Sequence, residues 1–215
     1  MSNGEPRLYE YKSILYLQLV VPAENCGVCG LNSESKTHLS ALYQEHRFVF
    51  IPHFISSSRA AELLACCEGL AVRRVICGIP GVSWDELSVE RGHELYDFFS
   101  SEEVLNVLAK LLGLKRFNFA RLTSWISSYR VGEYINPHRD RSGSIQVIVG
   151  LSALPEECGG TLILHPNENP ATYFLGSGDC LIFEATSVEH CTSPILATPN
   201  YPEPRRIVAV ARYFL

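Results

Sequence analysis

The sequence predicts a mainly β domain of the α+β class, with its helices gathered in the N-terminal half. Two observations carry this reading. Up to Gly113 the chain holds two stretches in which apolar residues recur at helical spacing; beyond it they fall into short runs separated by turn residues. The second is bulk: 215 residues, 47% hydrophobic and 19% charged, are enough to close a sizeable core. Many short strands of this kind pack as a closed or double-sheet architecture. No internal repeat and no composition break divides the chain. It reads as one domain, 1–215, with an N-terminal extension (1–47), a helical support region (48–116) and a β core (117–215).

Residues 1–47 carry the weakest signals. Leu15, Leu17 and Leu19 alternate with Tyr16, Gln18 and Val20 in a strand-like way, and Asn25 to Lys36, rich in Gly, Ser and Asn, reads as loop. Phe48-Val49-Phe50-Ile51 is an apolar strand that Pro52 ends. Ser56 to Ser58 offer an N-cap to a helix through Ala60, Leu63, Leu64 and Cys67, which Gly69 stops. Arg73 to Cys77 reads as a strand, and Gly78 to Gly92 as a loop carrying Trp84. Ser100-Ser101-Glu102-Glu103 resembles a capping box ahead of a second helix. Val104, Leu105, Leu108, Leu111 and Leu112 give that helix an apolar face, and Gly113 closes it. The strands that follow are Phe117–Tyr129, Ser144–Leu151, Gly160–Leu164, Thr172–Phe174, Asp179–Phe183 and Arg206–Phe214.

Composition sets several function classes aside. The formal net charge is −5 and no long basic run occurs, so no nucleic-acid partner is expected. The apolar stretch Ile14 to Val21 is broken by Gln18 and too short to span a bilayer. It also lacks the basic lead and cleavage site of a secretory signal, so a cytoplasmic protein without a membrane partner is expected. Eight cysteines in a chain of this length need no disulfide scaffold. Cys26 and Cys29 form a lone CxxC, and Cys66, Cys67 and Cys77 are too irregularly spaced to complete a zinc knuckle with it, so free thiols are expected. Cys158, Cys180 and Cys191 lie in or beside predicted strands and read as small buried hydrophobes. Oligomeric state is not legible.

The chemistry lies in His138-Arg139-Asp140, followed by His190 and then by Arg205-Arg206. Two histidines and one carboxylate are the ligand set of non-haem iron(II) oxygenases; they occupy one face of the metal and leave the other positions open. His138 and Asp140 are two apart, so an extended backbone puts both on one face, and His190 must come from a strand distant in sequence. A basic residue after the second histidine can hold the far carboxylate of a 2-oxoglutarate lying on that iron. Arginine does so through two parallel hydrogen bonds. Arg206 alternates with Val208 and Val210, apolar company that points inward, which favours Arg206 over Arg205. The plain alternatives are a turn aspartate at 140 and a solvated strand-edge arginine at 206. His38, His46, His53, His93 and His165 have no comparable setting.

Further stretches extend the pattern. They are Tyr129-Arg130-Val131-Gly132-Glu133-Tyr134 leading into Pro137-His138, then Gly159-Gly160-Thr161-Leu162, and Gly178-Asp179-Cys180-Leu181-Ile182-Phe183. Beyond these come His190-Cys191-Thr192-Ser193-Pro194-Ile195 and the run Arg206 to Phe214. Together they resemble the Fe(II)/2-oxoglutarate-dependent dioxygenase superfamily, in particular its prolyl-hydroxylase-like branch, over about Phe48 to Leu215. The resemblance implies a double-stranded β-helix (jelly roll) of about eight strands with the helices on one sheet. It implies Fe(II) on His138, Asp140 and His190, 2-oxoglutarate on Tyr129 and on Arg206 or Arg205, O₂ as oxidant and ascorbate as an auxiliary reductant. Two departures stand out. The insertion Leu196 to Pro204 lengthens the gap between His190 and the basic pair. Gly150 occupies a position where some relatives carry a second tyrosine for the cosubstrate, leaving Tyr129 to make that hydrogen bond alone.

The activity so implied is 2-oxoglutarate-dependent hydroxylation of an unactivated C–H bond. Halogenating relatives replace the metal carboxylate by a small residue, and Asp140 argues against that outcome. Alternation along the strand ending at Tyr129 puts Arg121, Thr123, Trp125 and Ser127 on the face of Tyr129, with Gln146 and Ile148 facing the same cavity from the next strand. Arg121 pairing a substrate carboxylate and Trp125 covering an apolar body would suit a small polar molecule, such as an amino acid or a metabolite derived from one. The plain reading of Arg121 is a strand-end residue in solvent. Other readings are a peptidyl (prolyl-type) hydroxylase in a sensor role, a desaturase or cyclase on the same site, and a cupin-like metal-binding module. Cupins tend to use His-x-His.

Overall fold

Two antiparallel sheets face one another, one of seven strands and one of four, and helices cover the outer face of the larger. The computed structural model describes residues 33–165 and 168–215. The strand-like pattern at residues 15–20 and the Cys26/Cys29 pair lie outside the described residues.

The elements in chain order are α1 (Ser33–His46), β1 (Phe48–Ile51), α2 (Ser57–Ala65), β2 (Arg73–Ile76), β3 (Ser83–Val89), α3 (Glu94–Phe99) and α4 (Glu102–Leu111). The β core follows: β4 (Arg121–Tyr129), β5 (Ile135–His138), β6 (Ile145–Gly150), β7 (Leu162–Leu164), β8 (Ala171–Tyr173), β9 (Cys180–Glu184), β10 (His190–Thr192) and β11 (Arg206–Phe214). The larger sheet runs β1-β9-β6-β11-β4-β3-β2 and the smaller β5-β10-β7-β8. Its four central strands, β9, β6, β11 and β4, and the four of the smaller sheet make up the expected jelly roll. β1 extends the larger sheet at one edge, and β2 and β3 at the other.

Local chemistry sets the helix ends. Ser56 caps α2 by accepting from the backbone N–H of Arg59 at 3.1 Å, and Ser101 caps α4 by accepting from that of Val104 at 3.4 Å. Glu102 and Glu103 in the first turn of α4 and Lys110 in the last complement the helix dipole. The helices pack on the outer face of β4, β6, β9 and β11, where Leu122, Ile126, Val147, Val149, Ile182, Ala209, Ala211 and Tyr213 are buried in one core with Leu63, Leu95, Phe99 and Leu108. The Tyr213 hydroxyl donates to the Phe99 carbonyl at 2.6 Å and ties the last strand to α3.

Several expectations need correction. The loop read at residues 25–36 runs into α1 over its last residues. α1 buries Leu39 and Tyr43, four apart on one face, and Ser40 and Gln44 donate to the Leu111 carbonyl at the end of α4 at 3.2 and 3.1 Å. The segment 78–92 holds β3, whose Leu87 and Val89 join the helix-side core while Trp84, Glu86 and Ser88 face the other way. Flanking Gly78, Pro80, Gly81 and Gly92 hid this strand, because turn residues on both sides outweigh a half-polar alternation. Cys158, Cys180 and Cys191 are buried free thiols, as read; Cys66, Cys67 and Cys77 are also free. Among the described residues, no helix is long and apolar enough to cross a membrane.

Candidate active site

The smaller sheet brings the histidines together. β5 pairs with β10 so that His138 lies directly opposite His190, with ring centroids 4.3 Å apart. Each ring is anchored from behind. Nδ1 of His138 lies 2.9 Å from the Asn136 carbonyl, and Nδ1 of His190 lies 3.1 Å from the Val188 carbonyl. A carbonyl can only accept, so Nδ1 carries a proton on both rings, which in a neutral imidazole leaves the lone pair on Nε2. Asp140, just past β5, is held by its backbone N–H donating to the Ala185 carbonyl at 3.1 Å. Ligand atoms of His138, Asp140 and His190 all fall within 4.8 Å of one another.

The electrostatics suit a cation. Burial, with the adjacent His138 ring, pushes the His190 imidazole down to about 3, so it stays neutral near pH 7. Burial also raises the Asp140 carboxyl, against the opposing pull of Arg212 and His138. Arg212 donates from Nη2 to Asp140 Oδ1 at 2.5 Å, while Oδ2 is buried without a partner. Such an orphaned carboxylate oxygen is costly in an apolar setting, and a metal ion would satisfy it.

The larger sheet supplies a second orphan. Arg206 opens β11 opposite Tyr129, is 4% exposed, and leaves its Nη2 buried without a partner. Its guanidinium carbon lies 5.3 Å from the Tyr129 ring centroid. Burial pushes the Tyr129 phenol up to about 12 although Arg206 opposes the shift, so the hydroxyl keeps its proton and can donate. Arg205 is exposed, as the alternation argument expects of the outward neighbour. The Gly159-Gly160 turn makes room for this arginine. A Cβ on Gly160 would come within 3.0 Å of Arg206 Cδ and 2.6 Å of Ile195 Cδ1, and the turn's φ of +72° itself favours glycine. Gly150 is equally constrained, since a Cβ there would lie 2.1 Å from the Gly176 carbonyl oxygen; no tyrosine fits.

Both groups open on one cavity of about 440 Å³ between the sheets, lined by His138, Asp140, His190, Tyr129 and Arg206. Thr123, Trp125, Ser127, Gln146 and Ile148 line it too, as the alternation expects. Arg121 does not. It is exposed at the far end of β4, with its guanidinium 3.8 Å from the Phe214 ring centroid, and the proposed pairing with a substrate carboxylate is therefore withdrawn. Alternation gave the correct face but ignored distance: eight residues at ~3.3 Å each put Arg121 roughly 26 Å along the strand from Tyr129.

A further arginine that does enter the cavity, Arg212, was missed by the sequence reading. It follows Arg206, Val208 and Val210 on the same face of β11, so the same period of two could have found it. Besides Asp140, it donates to Gln146 Oε1 from Nε at 2.9 Å and from Nη2 at 2.7 Å, and its guanidinium carbon sits 5.2 Å from the Trp125 ring centroid. The β2–β3 hairpin adds Arg73, Trp84, Glu86 and Ser88 to the cavity wall; the last three were missed because segment 78–92 read as loop, and Arg73, in a stretch read as strand, had no partner strand to place it. The hairpin is pinned to the turn after β4 by ion pairs of Arg74 with Asp85 and Glu133 and of Arg130 with Asp85.

Known structures match this architecture. An oxidoreductase of the 2OG-Fe(II) oxygenase family from Burkholderia pseudomallei superposes with a TM-score of 0.69 at 15% identity, over 85% of this chain and 92% of that one. The fold is that of the 2-oxoglutarate/Fe(II) oxygenases. A Pseudomonas putida prolyl-4-hydroxylase matches with a TM-score of 0.67 at 14% identity, over 83% and 98% of the two chains. A prolyl hydroxylase from Trichoplax adhaerens, solved with a hypoxia-inducible-factor peptide, matches with a TM-score of 0.65 at 20% identity, over 84% and 91%. No family model matches the chain, and no curated protein does.

Proposed function

We propose that the protein is an Fe(II)- and 2-oxoglutarate-dependent oxygenase that hydroxylates an unactivated C–H bond of a small polar substrate, such as an amino acid or a metabolite derived from one. One observation carries the reading. Two buried polar atoms without partners, Asp140 Oδ2 and Arg206 Nη2, belong to side chains lining the same cavity. One calls for a cation and the other for an anion, and an iron(II) 2-oxoglutarate complex supplies both. The fold shared with 2OG-Fe(II) oxygenases supports it.

His138 and His190 would hold the metal through Nε2 and Asp140 through Oδ2, while Arg212 holds Oδ1. Arg206 would hold the distal carboxylate of 2-oxoglutarate, a group that a guanidinium can meet with two parallel hydrogen bonds, and the Tyr129 hydroxyl would donate to it. The bound iron with its cosubstrate supplies O₂ activation coupled to decarboxylation, hard chemistry that no side chain here could do. Ile135, Ile148, Leu162, Val208 and Val210 give the cavity an apolar lining that keeps water from the reacting centre. Ascorbate would serve only to keep the iron reduced.

A second reading is a peptidyl hydroxylase, favoured by the likeness to the Trichoplax enzyme solved with its peptide. A cavity of about 440 Å³ holds the cosubstrate with a small molecule or a single side chain. Desaturation and cyclisation would use the same residues, and product analysis separates them. The test of the activity is succinate release that requires Fe(II), 2-oxoglutarate and O₂. His190→Ala should abolish it and weaken Mn(II) binding in equilibrium dialysis. Succinate release at the wild-type rate by His190→Ala would refute the assignment.

A further inference from the structure

We propose that Glu86, bracketed by Trp84 and Trp125, is a subsite for a cationic amine on the prime substrate. This rests on the oxygenase reading for what happens next to the amine, though not for the binding itself. Trp84 stands two residues before Glu86 on one face of β3. The register against β4 puts Glu86 opposite Ser127 and Ser88 opposite Trp125, so Trp125 lies diagonally across from Glu86. All three side chains line the cavity that also holds the His138, Asp140 and His190 cluster.

The carboxylate sits in a made place. Its side chain is 15% exposed, and Trp84 Nε1 reaches its Oε2 only at 3.4 Å. Its other oxygen pairs with the Arg73 guanidinium, directly opposite on the edge strand β2. That arginine side chain is 72% exposed, so the pair is screened by solvent and orders a long side chain at little net gain. Arg73 is the displaceable member. A ligand ammonium entering from the cavity gives Glu86 a charge-assisted hydrogen bond in a wall that also carries the Trp84 and Trp125 indoles, whose π-systems attract cations. The wall already shows this affinity, with the Arg212 guanidinium carbon 5.2 Å from the Trp125 centroid. Arg212 is paired with Asp140, which offsets its charge, and Arg206 opens β11 beside Tyr129, where the proposed cosubstrate carboxylate would offset its own. A carboxylate at this point would instead face Glu86. The substrate class is therefore an amine protonated at neutral pH: a free amine, the amino end of an amino acid, or a lysine-like side chain.

The chain has two tryptophans, and both line the cavity, so intrinsic fluorescence reports occupancy without turnover. The full-length protein is titrated with n-butylammonium chloride and, separately, with sodium butyrate. The expected result is a saturable change with the ammonium, at least tenfold weaker in Glu86→Gln, whereas any response to butyrate, which Arg206 can draw into the same cavity, is not weakened in Glu86→Gln. Arg73→Ala removes the competing cation from the surface and should bind the ammonium more tightly than the parent. A butyrate response that Glu86→Gln weakens as much as the ammonium response, an unchanged ammonium response in Glu86→Gln, or weaker binding in Arg73→Ala each overturns the proposal. Ammonium binding in a protein that never releases succinate would keep the subsite and sink the oxygenase reading. Succinate release without ammonium binding would do the reverse.

Discussion

The two faces of the larger sheet are made by the same strands and carry opposite kinds of side chain. Toward the helices, Leu122, Ile126, Val147, Val149, Ile182, Ala209, Ala211 and Tyr213 form an almost unbroken apolar layer. Toward the smaller sheet, Val208, Val210 and Ile148 are interleaved with Thr123, Trp125, Tyr129, Gln146, Arg206 and Arg212. Both faces obey the same period of two, so the difference is not structural patterning. Burying Arg206 or Asp140 without full partners works against folding. The helix-side layer holds the sheet, and the cavity-side polar groups are kept by chemistry.

That contrast can be broken by experiment. The largest effect is expected on the helix side. Ile182→Ala leaves a cavity in a fully packed layer and should cost ~2–5 kcal/mol of stability in urea denaturation, with the 2-oxoglutarate KM unchanged. A shifted KM at unchanged stability would mean the faces are not separable.

Acid should act next, and through the cavity side. The His190 imidazole is held down to about 3 in the folded protein, below its ordinary value of 6.5. Between those values the unfolded chain binds a proton that the metal-free folded protein refuses. Stability is therefore present near pH 7 and lost as pH falls from about 6.5 toward 3, by ~2 kcal/mol from this residue at pH 5. His190→Gln should flatten that part of the profile. An unchanged slope would place the acid sensitivity elsewhere.

Arg206→Met tests the claim that the inner face trades stability for chemistry. It should raise the 2-oxoglutarate KM at least tenfold, or ~1.4 kcal/mol of binding, while leaving the denaturation midpoint equal or higher. The same KM effect from Arg205→Ala in its place would reverse the register of β11. The smallest effect is expected at Arg212, whose lysine variant keeps the charge and loses the fork. It should weaken Mn(II) binding about tenfold, the lower end of what groups orienting a metal ligand contribute. Unaltered metal affinity would leave Arg212 with no role in holding Asp140.

Legibility followed the same divide. β1 and β11 stand at the residues read from sequence, because long or wholly apolar strands bounded by turn residues announce themselves. Ser56 was legible as a cap, and the second helix starts one residue beyond Ser100, at a Ser101 cap. The shared face of His138 and Asp140 and the inward face of Arg206 were legible because a spacing of two and a strand face are local facts. β5 and β10 were read only as the unbounded strands that must carry His138 and His190, because they are four and three residues long and carry Pro137 and the histidines in place of a hydrophobic run. α3 was hidden by its length of six residues and its capping by His93, a residue that does not signal a helix start. Arg121 was misplaced and Arg212 missed for one shared reason. Alternation along a strand says which face a residue takes, and only pairing with β6 and the closing turns says how far along that face the cavity lies.

The β2–β3 hairpin has a consequence for how this cavity can change. It is a single stretch of chain between exposed Val72 and exposed Glu90, held by pairing with β4 and by the Arg74, Arg130, Asp85 and Glu133 ion pairs. It brings Trp84 and Glu86 to the cavity but none of the residues assigned to metal or cosubstrate. The part of the wall that carries Trp84 and Glu86 is thus separable from the part that carries the proposed metal and cosubstrate residues. New hairpins grafted between those two exposed points would remodel one side of the cavity and leave the eight core strands as they are.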